Sequence, residues 1–128
     1  MTRLILVASS ILLAALGAAC LFVPSVLSGW LHLPDGAFAA LPLAAAPLLG
    51  VAGLNWVGRG ATYGGIYGRP IVFANFLTAG IGTLVLFRAQ TDAWPLFGWL
   101  LIFVFALYWL GFALLMFRGP FEPTASTA

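Results

Sequence analysis

Four long apolar stretches, separated by short breaks that hold most of the charged residues, constrain the fold of this chain more than any other feature. They run from Leu4 to Val23, Ala37 to Val57, Ile71 to Phe87 and Phe97 to Phe117. At a rise of about 1.5 Å per residue, a helix of such length comes close to the ~30 Å hydrocarbon core of a bilayer. With 63% hydrophobic and 6% charged residues, the chain is unsuited to a water-soluble fold. The sequence therefore predicts an all-α integral membrane bundle of four transmembrane helices.

The chain is too short for a second domain. It has 128 residues, and its longest break, from Pro24 to Gly36, cannot bury a core of its own. We expect one transmembrane domain over residues 1–119, followed by a disordered cytoplasmic tail over residues 120–128, which are mostly small and polar.

The arginines predict the orientation in the membrane. Four of the five fall at one end of the predicted bundle, namely Arg3, Arg59, Arg69 and Arg118. Basic residues near helix ends concentrate on the cytoplasmic side, so both termini and the Arg59–Arg69 loop are predicted to be cytoplasmic. Five arginines and no lysine cannot neutralise the phosphates of a nucleic acid, so no such partner is expected.

The first span admits a second interpretation. Leu16-Gly17-Ala18-Ala19-Cys20 is similar to a lipoprotein cleavage motif, which would make Cys20 a lipidation site. However, the apolar run is longer than the 7–15 residues of a signal peptide, and Gly17 occupies the position where leucine is usual. A retained helix with Cys20 as a small buried side chain is favoured, and a lone cysteine excludes an internal disulfide.

Small residues predict where helices approach closely. The second stretch contains Ala46, Gly50 and Gly53, which form a narrow face that permits tight packing in lipid. We therefore expect this helix at the centre of the bundle. In the preceding break, Pro24–Pro34 is consistent with either a short interfacial helix or a hydrophobic loop, and the sequence leaves both open.

Residues capable of catalysis are scarce. No span carries a central acidic or basic residue or histidine, on which proton relays and ion pathways depend. The three acids, Asp35, Asp92 and Glu122, all fall outside the predicted spans. One histidine and one cysteine cannot form a metal cluster or bis-histidine haem ligation. The sequence predicts a protein that is not an enzyme and needs no cofactor or metal.

His32 is a candidate pigment ligand. It lies near the predicted non-cytoplasmic interface beside Trp30, where it could bind a haem or a chlorophyll-type pigment axially. The favoured interpretation is an ordinary polar loop side chain.

The best candidate site combines Asn55, Arg59, Arg69 and Asn75. The two arginines and the glycines between them could hold an anionic lipid headgroup or a carboxylate. The favoured alternative is a turn whose arginines contact lipid phosphates without specificity. Asn55 and Asn75 are expected to meet across two helices, either as a hydrogen-bonded pin or as a polar contact for a quinone or lipid-like ligand.

The chain resembles small bacterial four-span families, notably DoxX-like proteins and related uncharacterised proteins. The likeness is carried by Leu54-Asn55-Trp56, the arginine loop that follows it, and the Ala/Gly-rich second span. This resemblance implies a bacterial cytoplasmic membrane and an accessory role in membrane redox systems, and it supplies no catalytic residue.

Two functions are expected from these observations. The first is a non-catalytic accessory or scaffold subunit that packs against a larger membrane complex or a second copy. The alternative is a binder of a hydrophobic ligand, such as a quinone, carotenoid, pigment or lipid, either between helices or at the arginine loop.

Overall fold

The computed structural model describes residues 2–60, 68–89 and 95–118, and almost all of these residues are helical. Four long helices dominate, namely α1 (Thr2–Phe22), α3 (Ala40–Gly58), α4 (Gly68–Ala89) and α5 (Leu96–Arg118). All four are long and apolar enough to cross a membrane. The predicted all-helical, four-span architecture is confirmed.

The connection between α1 and α3 is also helical. A seven-residue helix, α2 (Pro24–Trp30), is followed by a 3-10 turn over Asp35–Ala39. Of the two interpretations left open for this break, the short helix is therefore correct. Pro24 occupies the start of α2, where the missing N–H of proline interrupts no helical hydrogen bond.

Helix α2 connects the first long helix, α1, with the last long helix, α5. Leu27 and Leu31 are buried in the core. The Trp30 ring meets the Phe97 ring of α5 edge to face, with 5.4 Å between centroids. Since aromatic pairs favour this geometry, the contact ties the α1 side of the bundle to the start of α5.

Helices α1 and α3 pack antiparallel in close contact. Close to the middle of α1, the Ser10 hydroxyl donates to the Ala52 carbonyl of α3 at 2.8 Å. Further along, Gly17 faces Leu49, so closely that an added Cβ would lie 2.8 Å from Leu49 Cγ. The core-facing residues Leu6 and Leu13 on α1 are almost completely buried. Small residues thus permit a tight approach, as expected for helices in lipid.

Helices α4 and α5 form the second antiparallel pair. The indole of Trp109 packs on Gly80, and the ring of Phe105 packs on Gly82. Trp109 Nε1 is buried there without a hydrogen-bond partner, so shape rather than hydrogen bonding holds this contact. Phe112 is fully buried one turn further along α5.

The prediction that α3 lies at the centre of the bundle is wrong. In the most apolar 18 residues of the Asp35–Gly58 span, which contains α3, only 11% are buried, against 33% for the Arg3–Phe22 span of α1. Ala46, Gly50 and Gly53 are exposed on its outer side. A face of small residues predicts that some helix packs closely against it. Because lipid solvates apolar faces as well as protein does, the pattern does not show whether that helix belongs to the same chain.

Two sequence predictions fall largely outside the described residues. These are the Arg59–Arg69 loop and the disordered tail over residues 120–128. Helix α4 itself begins three residues earlier than the predicted Ile71, with Pro70 in its first turn.

Adding a single methyl group at Gly82 tests the α4–α5 contact. A Cβ at this position would lie 2.5 Å from the Phe105 ring, which is 4% exposed and has little room to move. We expect Gly82→Ala to lower the free energy of unfolding by about 1–3 kcal/mol, measured in detergent with increasing dodecyl sulfate. Gly111→Ala is the matched control, because nothing lies within 4 Å of a Cβ there. Equal stability of the two variants would contradict this packing.

Candidate functional site

Each long helix contributes one buried polar side chain to a single point in the bundle. The four residues, here called the polar cluster, are Ser9 of α1, Asn55 of α3, Asn75 of α4 and Tyr108 of α5. Both asparagines are 0% exposed, and Ser9 and Tyr108 are 4% and 8% exposed. The cluster is therefore where all four spans meet through polar atoms.

The two asparagines form a reciprocal amide pair. Asn55 Nδ2 donates to Asn75 Oδ1 at 2.7 Å, and Asn75 Nδ2 donates to Asn55 Oδ1 at 2.6 Å. Asn55 Nδ2 also donates to Ser9 Oγ at 3.0 Å, and the Tyr108 hydroxyl donates to Asn75 Oδ1. This confirms the predicted meeting of Asn55 and Asn75 and adds two partners to it.

A backbone carbonyl fixes the direction of these hydrogen bonds. Asn75 Nδ2 donates its second hydrogen to the carbonyl oxygen of Ile71 at 2.7 Å. Since a carbonyl can only accept, the amide of Asn75 cannot be turned around, and its oxygen must face Asn55 and Tyr108. It follows that Asn55 presents its nitrogen to this oxygen and that Tyr108 is a donor.

Every hydrogen-bond donor of the polar cluster has an acceptor, either within the cluster or on the backbone of the bundle. Both hydrogens of each amide are used, the Tyr108 hydrogen is used, and Ser9 donates to the Leu6 carbonyl at 3.0 Å. In hydrocarbon, where no water can replace a lost partner, such completeness holds helices together. Measured side-chain hydrogen bonds between membrane helices average about 0.6 kcal/mol, with a maximum near ~1.7 kcal/mol.

The arginines of the predicted site lie apart from the asparagines. Arg59 follows the end of α3, donates to the Trp56 carbonyl, and places its guanidinium 4.1 Å from the centroid of the Trp56 ring. Arg69 is exposed in the first turn of α4. The structure thus brings together Asn55 and Asn75 but not the four predicted residues. Specific anion binding by Arg59 and Arg69 stays a prediction.

The cluster nevertheless lies toward the arginine end of the bundle. Counting along the helices, Asn55 is about 5 Å from the end of α3 and Asn75 about 10 Å from the start of α4. Sequence reasoning missed Ser9 and Tyr108, although the same counting from Arg3 and Arg118 places both residues within their spans.

His32 and Cys20 occupy separate places. His32 is exposed in the turn after α2 and has a φ of 49°, the left-handed region that histidine visits more readily than most residues. Within residues 2–60, 68–89 and 95–118, no three His, Cys, Asp or Glu side chains are grouped to hold a metal. Pigment binding by His32 stays a prediction. Cys20 is buried in the last turn of α1.

No protein-family model matches this sequence, and no curated protein or solved structure is detectably similar to it. The resemblance to DoxX-like proteins therefore stays a prediction. Of the tripeptide that carries it, Asn55 lies in the polar cluster, whereas Leu54 and Trp56 are 42% and 49% exposed.

Replacing Asn75 with leucine tests whether the cluster holds the bundle together. Asn75→Leu removes two donated and two accepted hydrogen bonds, so we expect the free energy of unfolding in detergent to fall by about 1–3 kcal/mol. The matched control is Thr83→Val, because the Thr83 hydroxyl only donates to the Ala79 carbonyl within its own helix. An unchanged stability of Asn75→Leu would show that the amide pair contributes nothing.

Proposed function

We propose that this protein is a non-catalytic integral membrane protein, an accessory or scaffold subunit that packs against a transmembrane helix of a larger complex. The observation that carries this proposal is an open seam along the outer side of α3. It consists of Leu43, Ala46, Gly50, Gly53 and Val57, all exposed.

The seam has the spacing that helices use to pack on each other. Its members follow one another at intervals of three, four, three and four residues, so they form one stripe along α3. The stripe is about 21 Å long, which covers most of the hydrocarbon core. Leu43 and Val57, 76% and 82% exposed, flank the small residues in the middle. A second helix could lie in this depression with its backbone close to α3.

Comparison among the glycines supports a partner on this face. Gly17, Gly58, Gly80 and Gly82 each lie against a side chain of a neighbouring helix, so the bundle itself requires their small size. At Gly50 and Gly53, in contrast, nothing lies within 4 Å of an added Cβ. Glycine costs a helix about 1 kcal/mol relative to alanine, and packing among the described residues does not explain that cost at either position.

The polar cluster supports a non-catalytic role. It contains no acidic or basic residue or histidine, and all its donors are engaged by other atoms of the bundle. The arginines of the described segments lie in the first or last turns of the long helices or just beyond them. Such an arrangement suits a rigid support rather than a proton or ion pathway.

The proposed setting is the cytoplasmic membrane of a bacterium, with the arginine end of the bundle in the cytoplasm. The antiparallel packing of the helices supports this orientation, because it gathers Arg3, Arg59, Arg69 and Arg118 at one end and leaves Arg88 at the other. The excess of arginine follows the positive-inside rule. A redox complex is the partner that the DoxX-like resemblance implies.

Enlarging the seam residues tests the proposed packing. We expect Gly50→Leu combined with Gly53→Leu to reduce the proteins that copurify in gentle detergent by at least about tenfold, because the added side chains keep a second helix away. Ala15→Leu, at an exposed position of α1, is the matched control. Recovered partners are identified by mass spectrometry, and a complex containing only this chain would indicate a homo-oligomer. Wild-type protein that is monomeric and copurifies with nothing would contradict the proposal.

Labelling of introduced cysteines tests the orientation. In a Cys20→Ala background, we expect a cysteine at Gly60 to react with a membrane-impermeant maleimide only after the membrane is opened. A cysteine at Gly36, exposed at the opposite end of the bundle, should react in intact cells. The reverse pattern would place the arginine end outside.

A further inference from the structure

A groove between α1 and α5 lies directly beside the polar cluster. It has a volume of about 260 Å³ and is partly open to the surroundings of the bundle. Its lining consists of Ile5, Ala8, Ser9 and Leu12 from α1 and Leu107, Tyr108 and Gly111 from α5. Pockets that enclose a whole drug-sized ligand are usually ~300–1,000 Å³, so this groove fits a head or a ring whose tail remains among the lipids.

The groove combines apolar walls with two polar residues. Among the described residues that line the groove, the polar side chains are those of Ser9 and Tyr108, each more than nine-tenths buried, and the others are aliphatic or glycine. At Gly111 nothing lies within 4 Å of an added Cβ, so glycine leaves space at this position that a side chain would fill.

The direction of the hydrogen bonds determines what the groove can recognise. The Tyr108 hydroxyl gives its hydrogen to Asn75, and Ser9 gives its hydrogen to the Leu6 carbonyl. Ser9 Oγ also accepts one hydrogen from Asn55. Only oxygen lone pairs therefore remain on these two residues, since each hydroxyl has a single hydrogen and two acceptor sites. A ligand that also brings only acceptors, such as a ketone or an ether, would find no partner.

We propose that the groove binds a lipophilic molecule with a hydroxyl head, which donates a hydrogen bond to Tyr108 Oη or Ser9 Oγ while its hydrocarbon part contacts Ile5 and Leu107. The site discriminates in favour of alcohols and phenols over carbonyl or ether analogues of the same size. This inference is independent of the proposed partner at the seam, because the seam lies on α3 and the groove lies between α1 and α5.

Binding of paired probes to the purified full-length chain tests the proposal. The probes are para-nonylphenol, its methyl ether, and a straight-chain alcohol of the same carbon number, each titrated by calorimetry in detergent micelles. The ether matches the phenol in shape but lacks the donor. We expect wild type to bind the phenol about five- to tenfold more tightly than the ether, as the gain of one hydrogen bond implies. Comparison of the phenol with the straight-chain alcohol distinguishes an aromatic from an aliphatic source of the hydroxyl.

Variants of the groove separate specific binding from partition into micelles. Gly111→Leu should abolish saturable binding of every probe, and Ala8→Leu, at an exposed position on the opposite wall, should do the same if the first variant folds poorly. Tyr108→Phe should retain the ether affinity and reduce the preference for the phenol by at least about threefold. Probe uptake that both wall variants leave unchanged would overturn the site. Equal affinity of wild type for phenol and ether would overturn the proposed ligand class.

Discussion

The reciprocal hydrogen bonds between Asn55 and Asn75 are the interaction on which the rest of this bundle depends. Within a membrane, lipid tails solvate apolar faces as well as neighbouring helices do, so the hydrophobic effect does not choose among helix arrangements. Two amides in hydrocarbon do favour one arrangement, because each amide needs hydrogen-bond partners that lipid tails cannot supply. Their pairing joins the α1–α3 pair to the α4–α5 pair at one level. At the other end, the contact between Trp30 and Phe97 joins the same two pairs.

In this arrangement, residues of the same type have different roles, which composition does not show. Glycines within the pairs allow side chains such as Leu49 and Trp109 to lie against a neighbouring backbone. Gly50 and Gly53 are the same residue type but face outward, and no described residue packs against either position. Likewise, Tyr108 both completes the polar cluster and lines the groove, so one hydroxyl connects internal stability with the proposed recognition of a ligand.

Much of the fold could be predicted from the sequence because length and hydropathy determine which segments are able to span a bilayer. The Asn55–Asn75 contact could also be predicted, since both residues lie within about 10 Å of helix ends that are joined by the same loop. The rotation of each helix about its axis was not accessible, because a span that is apolar on every side carries no signal for its inner face. For that reason Ser9 and Tyr108 were missed, and α3 was wrongly expected at the centre. The sequence of Pro24–Trp30 is compatible with both a helix and a hydrophobic loop, and only the backbone of the structure distinguishes them.

The amide pair also has a consequence for biogenesis. Asn75 follows Asn55 by 20 residues, so the ribosome delivers the first amide before the second. At a synthesis rate of about 5–20 residues per second, this delay is on the order of 1–4 s. During that interval Ser9, which arrives earlier on α1, is the polar partner already present for Asn55. The Ser9–Asn55 hydrogen bond joins α1 to α3 and does not involve α4, so it can form before Asn75 is synthesised.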